Sequence, residues 1–154
     1  MPTMSRSTVA STLESTVGGV LDGLIGAGVA RAGDCRSSAG QCLLACVGMR
    51  GGVAGVMSVA APVDLCADIA RDRFGVTDAS GADPGVLESI LGEIASVAAG
   101  CVATCLEAVE STWLTPPAVT NTTPEEWNVL GGARNTSVFD VSGRQVLVSA
   151  DVTT

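Results

Sequence analysis

From Val9 onward the apolar residues fall at 9, 13, 17, 20, 21, 24, 25 and 29, the three-to-four spacing of an amphipathic helix. Five glycines interrupt it (Gly18, Gly19, Gly23, Gly26, Gly28), and each weakens a helix interior by up to about 1 kcal/mol against alanine, so this helix depends on tertiary contacts. Gly19 and Gly23, four apart, predict close approach of another backbone, either within the chain or at a subunit interface. Gly33 and Asp34 then read as a helix stop and a new N-cap, opening a second helix over 35–49 that Gly51 and Gly52 interrupt. A weaker apolar stretch follows at 53–60. Pro62 suits the first turn of a third helix reaching Phe74, with Asp64, Asp68, Arg71 and Asp72 opposite Val63, Cys66, Ile69 and Ala70. Residues 75–82 read as a loop.

The most regular element starts at Asp83-Pro84 and runs to Trp113, about 30 residues or roughly 45 Å of helix. At 100° per residue Glu88, Glu93, Glu107 and Glu110 share one arc, while Leu87, Ile90, Leu91, Ile94, Val97, Ala98, Cys101, Val102, Cys105 and Val109 occupy the other. After Trp113 the pattern changes. Pro116-Pro117 excludes helix, and Thr123-Pro124-Glu125-Glu126 forms a capping box for one short helical turn. The segment from Ser137 to Ala150 reads as a β-hairpin turning at Ser142-Gly143, pairing Phe139 with Val146 and Val138 with Leu147. Both of its faces are apolar, so it needs cover on both sides.

The fold expected from this pattern is mainly α: a bundle of three to four helices over 1–113, then an extended arm over 114–154 ending in the hairpin. Such an arm docks most simply on a neighbouring subunit, with Phe139, Val141, Val146, Leu147 and Val148 as the interface.

Composition narrows the chemistry. There is no histidine among the 154 residues, which removes the commonest general base and metal ligand and with it any Ser-His or Cys-His nucleophile. The net charge of −8, with eight scattered arginines as the only cations, argues against a nucleic-acid partner. The polar N-terminal stretch lacks the apolar run of a secretory signal, and the source compartment is left open. The two candidate bilayer spans are broken by Asp22 and Arg50, so membrane association is a minor alternative. Glu88 with Glu93, and Glu107 with Glu110, read as a solvated helix face rather than acid–base pairs, and no glycine run resembles a phosphate loop. The Asn121 and Asn135 sequons carry no weight without an export signal. Trp113 and Trp127 read as packing anchors.

The six cysteines invite three readings. Cys35, Cys42 and Cys46 fall within about 40° on the predicted second helix, Cys101 and Cys105 sit mid-stripe on the long one, and Cys66 is central on its own. They are buried reduced thiols, or disulfides pairing Cys42 with Cys105, Cys46 with Cys101 and Cys35 with Cys66, or a thiolate site in which Cys42, Cys46, Cys101 and Cys105 hold zinc or, with Met49 nearby, Cu(I). Paired C-x3-C on two helices resembles the small mitochondrial intermembrane chaperones and, more loosely, the cysteine-lined copper-storage bundles. The resemblance covers four residues, and 54 residues separate the two pairs where the chaperones have a short spacer. The function expected from all this is a non-enzymatic assembly subunit of a virion, tail, shell or filament, binding copies of itself or other structural subunits and using no cofactor. A cysteine-based metal or redox module is the alternative.

Overall fold

The computed structural model describes residues 18–19, 21–23, 29–36, 40–75, 84–106 and 108–153. Most of the first predicted helix, Glu107, and the N-cap at Asp83 lie outside these residues. The elements are β1 (Val29–Arg31), β2 (Cys42–Gly51), β3 (Ala54–Pro62), α1 (Val63–Phe74), α2 (Pro84–Cys105), a 3-10 turn (Val109–Ser111), β4 (Thr112–Leu114), β5 (Ala118–Thr122), α3 (Pro124–Gly131), β6 (Thr136–Val141) and β7 (Arg144–Thr153). All seven strands join one antiparallel sheet in the order β1-β6-β7-β3-β2-β4, with β5 also on β2. The mainly helical bundle is therefore overturned. The sheet draws strands from both sides of the expected boundary at 113/114.

The helix expected over 35–49 and the stretch at 53–60 are the β2–β3 hairpin, with Cys42 opposite Pro62 and Met49 opposite Gly55. Both faces of β2 are packed, which is why its apolar residues do not alternate with polar ones. Leu43, Ala45, Val47 and Met49 enter the main core with α1 and α2, whereas Cys42 and Leu44 join a smaller cluster around Trp127 on the outer face. Gly51 makes the turn at φ 105°, where a Cβ would lie 2.0 Å from the Ser111 carbonyl oxygen.

α1 and α2 form where their patterns predict. α1 closes on Gly75 in the left-handed conformation, its N–H donating to the Ala70 carbonyl. α2 is long and apolar enough to cross a membrane by length and composition, but its apolar side, including Leu87, Ile90, Leu91, Ile94, Ala98 and Val102, is buried against the sheet. It ends at Cys105 rather than Trp113. The Thr112 hydroxyl donates to the Ala108 carbonyl at 2.6 Å and accepts from the Val53 N–H, and Gly52 N–H donates to Ser111 O, pulling the chain into β4 on the sheet edge. The helical residues 18–19 and 21–23 also lie on the α1–α2 side, since Leu21 is fully buried in that core. Among the described residues no atom lies within 4 Å of where a Cβ would stand on Gly19 or Gly23, so the close approach expected within the chain is not made there.

α3 covers the other face. Its capping box forms as expected, with Glu126 N–H donating to the Thr123 hydroxyl at 3.2 Å. The terminal hairpin has the predicted register, Phe139 opposite Val146 and Val138 opposite Leu147. It is no arm, however. β7 pairs with β3 over seven residue pairs, and Phe139, Val141, Val146, Leu147 and Val148 are all buried within this chain. The interface assigned to them is corrected: cover for both faces comes from the chain's own helices.

Candidate functional site

The cysteines do not converge. Cys42 and Cys46 point to the outer face of β2, with Cys46 Sγ 3.4 Å from the Ser58 hydroxyl, whereas Cys101 and Cys105 lie on α2 across the sheet. Cys46 and Cys101 are half-buried and Cys105 is exposed. None of the six is in a disulfide, so none of the three expected pairings is present. Among the described residues no group of three potential ligands is placed to hold a metal, and the four-thiolate site at Cys42, Cys46, Cys101 and Cys105 is not assembled. Burial pushes the Cys66 thiol up from 9.0 to about 12, helped by Cys42 and Asp64 nearby. Burial also raises Cys35, against a hydrogen bond with Trp127. Neither is a ready thiolate.

Two surfaces remain. The first is an open cleft of about 1010 Å³ at one end of the sheet, between α1 and α3, floored by Leu43, Pro62 and Trp127. Four of its charged groups hold each other. Arg144 pairs with Asp68 and, at 3.6 Å, with Asp64, and Arg71 reaches Asp68 at 3.2 Å. Gln145 bridges the Arg36 N–H and the Asp34 carbonyl at 2.7 and 2.9 Å, and Gln41 donates to Asn121. These bonds tie the sheet end to its flanking loops.

The second is the outward side of α2. The helix presents Val86, Ser89, Glu93, Ser96, Val97, Gly100 and Thr104 at i, i+3, i+4 spacing, a flat and mostly small surface. Ser89 and Thr104 spend their hydroxyls on carbonyls one turn back, at 2.8 and 2.9 Å. Glu93 is different. Its carboxylate is exposed and has no hydrogen-bond or ion-pair partner among the described residues, and the half-buried Ser96 stands one turn on. Beside them the edge segment leans in: a Cβ on the buried Gly92 would meet Pro117 at 3.0 Å and Val119 at 3.6 Å. The result is a seam between α2 and Pro116-Pro117 with one unneutralised carboxylate on its rim. Such a group accepts hydrogen bonds from a water or a partner's donor and orients what it holds.

Sequence reasoning placed Glu93 in a solvated arc with Glu88, Glu107 and Glu110. A usable signal was present, since positions 89, 90, 96 and 97 are Ser, Ile, Ser and Val and no cation lies within helical reach. Ser96 drew no reading, and Pro117 was read only as a helix breaker.

No protein-family model matches this chain, and no curated protein is similar to it in sequence. Solved structures are similar over nearly its whole length. The chemotaxis protein CheX of Vibrio vulnificus superposes with a TM-score of 0.71 at 13% identity, covering 97% of this chain and 99% of its own. CheX of Borrelia burgdorferi, solved as a complex with CheY, BeF3 and Mg2+, gives a TM-score of 0.61 at 17% identity, covering 94% and 95%. FliY of Thermotoga maritima gives 0.58 at 16%, covering 95% and 90%. At these identities the likeness establishes the fold: this chain has the architecture of CheX and FliY. That overturns the expected virion, tail, shell or filament subunit, whose docking arm is an internal part of this sheet.

Proposed function

We propose that this chain docks on a CheY-like protein carrying a phosphoryl group and Mg2+, and that the α2 surface around Glu93 reaches the phosphoryl site and promotes its hydrolysis. The observation that carries the reading is the exposed carboxylate of Glu93, without a partner among the described residues, on the outward face of α2, in a fold similar over 94% of its length to a CheX solved with CheY and BeF3, a tetrahedral phosphoryl analogue. The chain has no histidine to activate a side-chain nucleophile, and burial pushes the Cys66 thiol up to about 12, so the nucleophile in this reading is water. Water attacks phosphorus in line with the departing oxygen of the partner's phosphorylated side chain; inorganic phosphate leaves and that side chain is regenerated. Glu93 accepts a hydrogen bond from the attacking water and fixes its direction, Ser96 supplies a second polar contact, and the partner's Mg2+ neutralises the phosphoryl oxygens. This reading replaces the expectation of a non-enzymatic protein that binds only itself or structural subunits.

The test is the lifetime of the phosphorylated CheY-like protein from the same cell, with and without this chain. Glu93→Gln, which keeps size and removes charge, is expected to lose roughly 100-fold or more of the acceleration while binding to the BeF3-activated partner changes by only a few-fold. An unchanged lifetime in the presence of the native chain, or full acceleration by Glu93→Gln, refutes the proposal.

A further inference from the structure

The edge segment from Thr112 to Pro117 runs beside α2 in the opposite direction. Its start is tied just past the helix, where the Thr112 hydroxyl donates to the Ala108 carbonyl, and its end lies on the helix at Gly92, one residue before Glu93. Leu114 stands between these two anchors. It is opposite Met49 in the β2–β4 pairing, and Met49 is buried in the core beneath α2, so the Leu114 side chain is on the α2 side of the sheet, where it is 39% exposed. Pro116 and Pro117 are exposed as well. Strand edges are commonly guarded by charge, yet Thr112 to Thr123 carries none in a chain with 8 basic and 16 acidic residues. On the other side of the carboxylate, Val86, 37% exposed, and the half-buried Val97 lie two turns before and one turn after Glu93. Glu93 is thus an isolated charge between apolar borders.

We infer that Leu114, Pro116 and Pro117 form an apolar bank against which the CheY-like partner packs, and that this bank sets how tightly the partner is held while Glu93 acts on the bound phosphoryl group. The inference rests on the reading of Glu93 above. Continuity selects the occupant: because Pro117 lies on Gly92, a protein that brings a phosphoryl group to Glu93 covers the bank in the same encounter. The chemistry of the bank selects the surface it accepts, an uncharged apolar strip beside the partner's phosphorylation site. A CheY-like protein with a charged group at that place would bury it against Leu114 and the two prolines with no counter-ion, which disfavours it. Contacts of this kind are made equally before and during the reaction, so they lower KM and leave kcat alone, whereas the Glu93 contact is realised in the transition state.

Initial rates of dephosphorylation against the concentration of the phosphorylated CheY-like partner test the division. Leu114→Ser and Pro116→Asp are each expected to raise KM roughly tenfold with kcat within twofold and the thermal midpoint little changed, the reverse of Glu93→Gln. Trp113→Ala is the control: Trp113 is 70% exposed on the same strand, but it is opposite Arg50 and points to the other face, so KM stays at the native value. An unchanged KM in both bank variants overturns the inference and leaves the role of Glu93 standing. An equal rise in KM for Trp113→Ala also overturns it, because the α2 side of the edge is then not what the partner reads. If the native chain gives no acceleration, the reading of Glu93 fails and affinity for the BeF3-activated partner decides the bank: a tenfold loss in Leu114→Ser and Pro116→Asp upholds it, and equal affinity, or no binding by the native chain, overturns it.

Discussion

Trp127→Ala is the sharpest test of the second layer of this fold. The side chain is 1% exposed and packs on Cys42, Ala60, Val138 and Leu147, and its indole N–H donates to the Arg36 carbonyl at 2.9 Å. Truncating a buried tryptophan removes about 3–5 kcal/mol, and the orphaned carbonyl adds about 1 kcal/mol. The expected loss of about 4–6 kcal/mol is a large share of the roughly 5–15 kcal/mol that holds a domain of this size together. At about 2–4 °C per kcal/mol the thermal midpoint falls by roughly 10–20 °C. Trp113, at 70% exposure, provides the control, and Trp113→Ala shifts stability by no more than about 0.5 kcal/mol. These are the two tryptophans of the chain, so emission from each single variant reports one site: blue-shifted from Trp127, red-shifted from Trp113. Trp127→Phe, which keeps most of the volume and loses the N–H, falls between. Chemical denaturation that gives Trp127→Ala the stability of Trp113→Ala would show that α3 does not hold the outer face, and the account of both sheet faces would fail with it.

Two further outcomes follow from packing and burial. Cys66 titrates near 12 in the folded state against 9.0 unfolded, so the unfolded chain loses its proton first. The Cys66 contribution to stability is therefore constant below pH 9 and falls between pH 9 and 12, by about 1.4 kcal/mol per pH unit and roughly 4 kcal/mol in all. Denaturation midpoints across that range show the slope, and Cys66→Ala, though weaker at pH 7, lacks it. Gly131→Ala places a Cβ 2.2 Å from Cys35 Sγ and 2.8 Å from Cys35 Cβ. Overpacking there costs about 1–3 kcal/mol, read by thermal melting, and the Cys35→Gly background relieves it; equal losses in both backgrounds would refute the assigned contact.

How much of this was legible along the chain depends on how many faces each element buries. α1, α2 and the capped α3 each keep one face toward solvent, so their 3.6-residue period and their punctuation at Pro62, Gly75 and Thr123 survive in the sequence. The register of the last hairpin follows from its turn at Ser142-Gly143, where Ser142 has φ 52° and Gly143 φ 80°. What covers that hairpin is long-range information: the β3–β7 pairing joins residues about ninety positions apart, and no local pattern records it.

The β2–β3 pair hides for a different reason. With α2 on one face and the Trp127 cluster on the other, its residues from Cys42 to Val47 are apolar on both sides, and a continuous apolar run fits a strand and a buried helix equally. The cysteine spacing does not separate the two. Residues four apart lie about 40° apart on a helix and on the same side of a strand, so Cys42 and Cys46 share a face in either conformation. A spacing of four separates the two periods only when a neighbour at three or five is also constrained. Here Ala45 and Val47, three and five after Cys42, are buried in the opposite core. Even positions facing Trp127 and odd positions facing α2 are what a two-residue period requires, and that alternation places Cys42 and Cys46 on the far side of the sheet from Cys101 and Cys105.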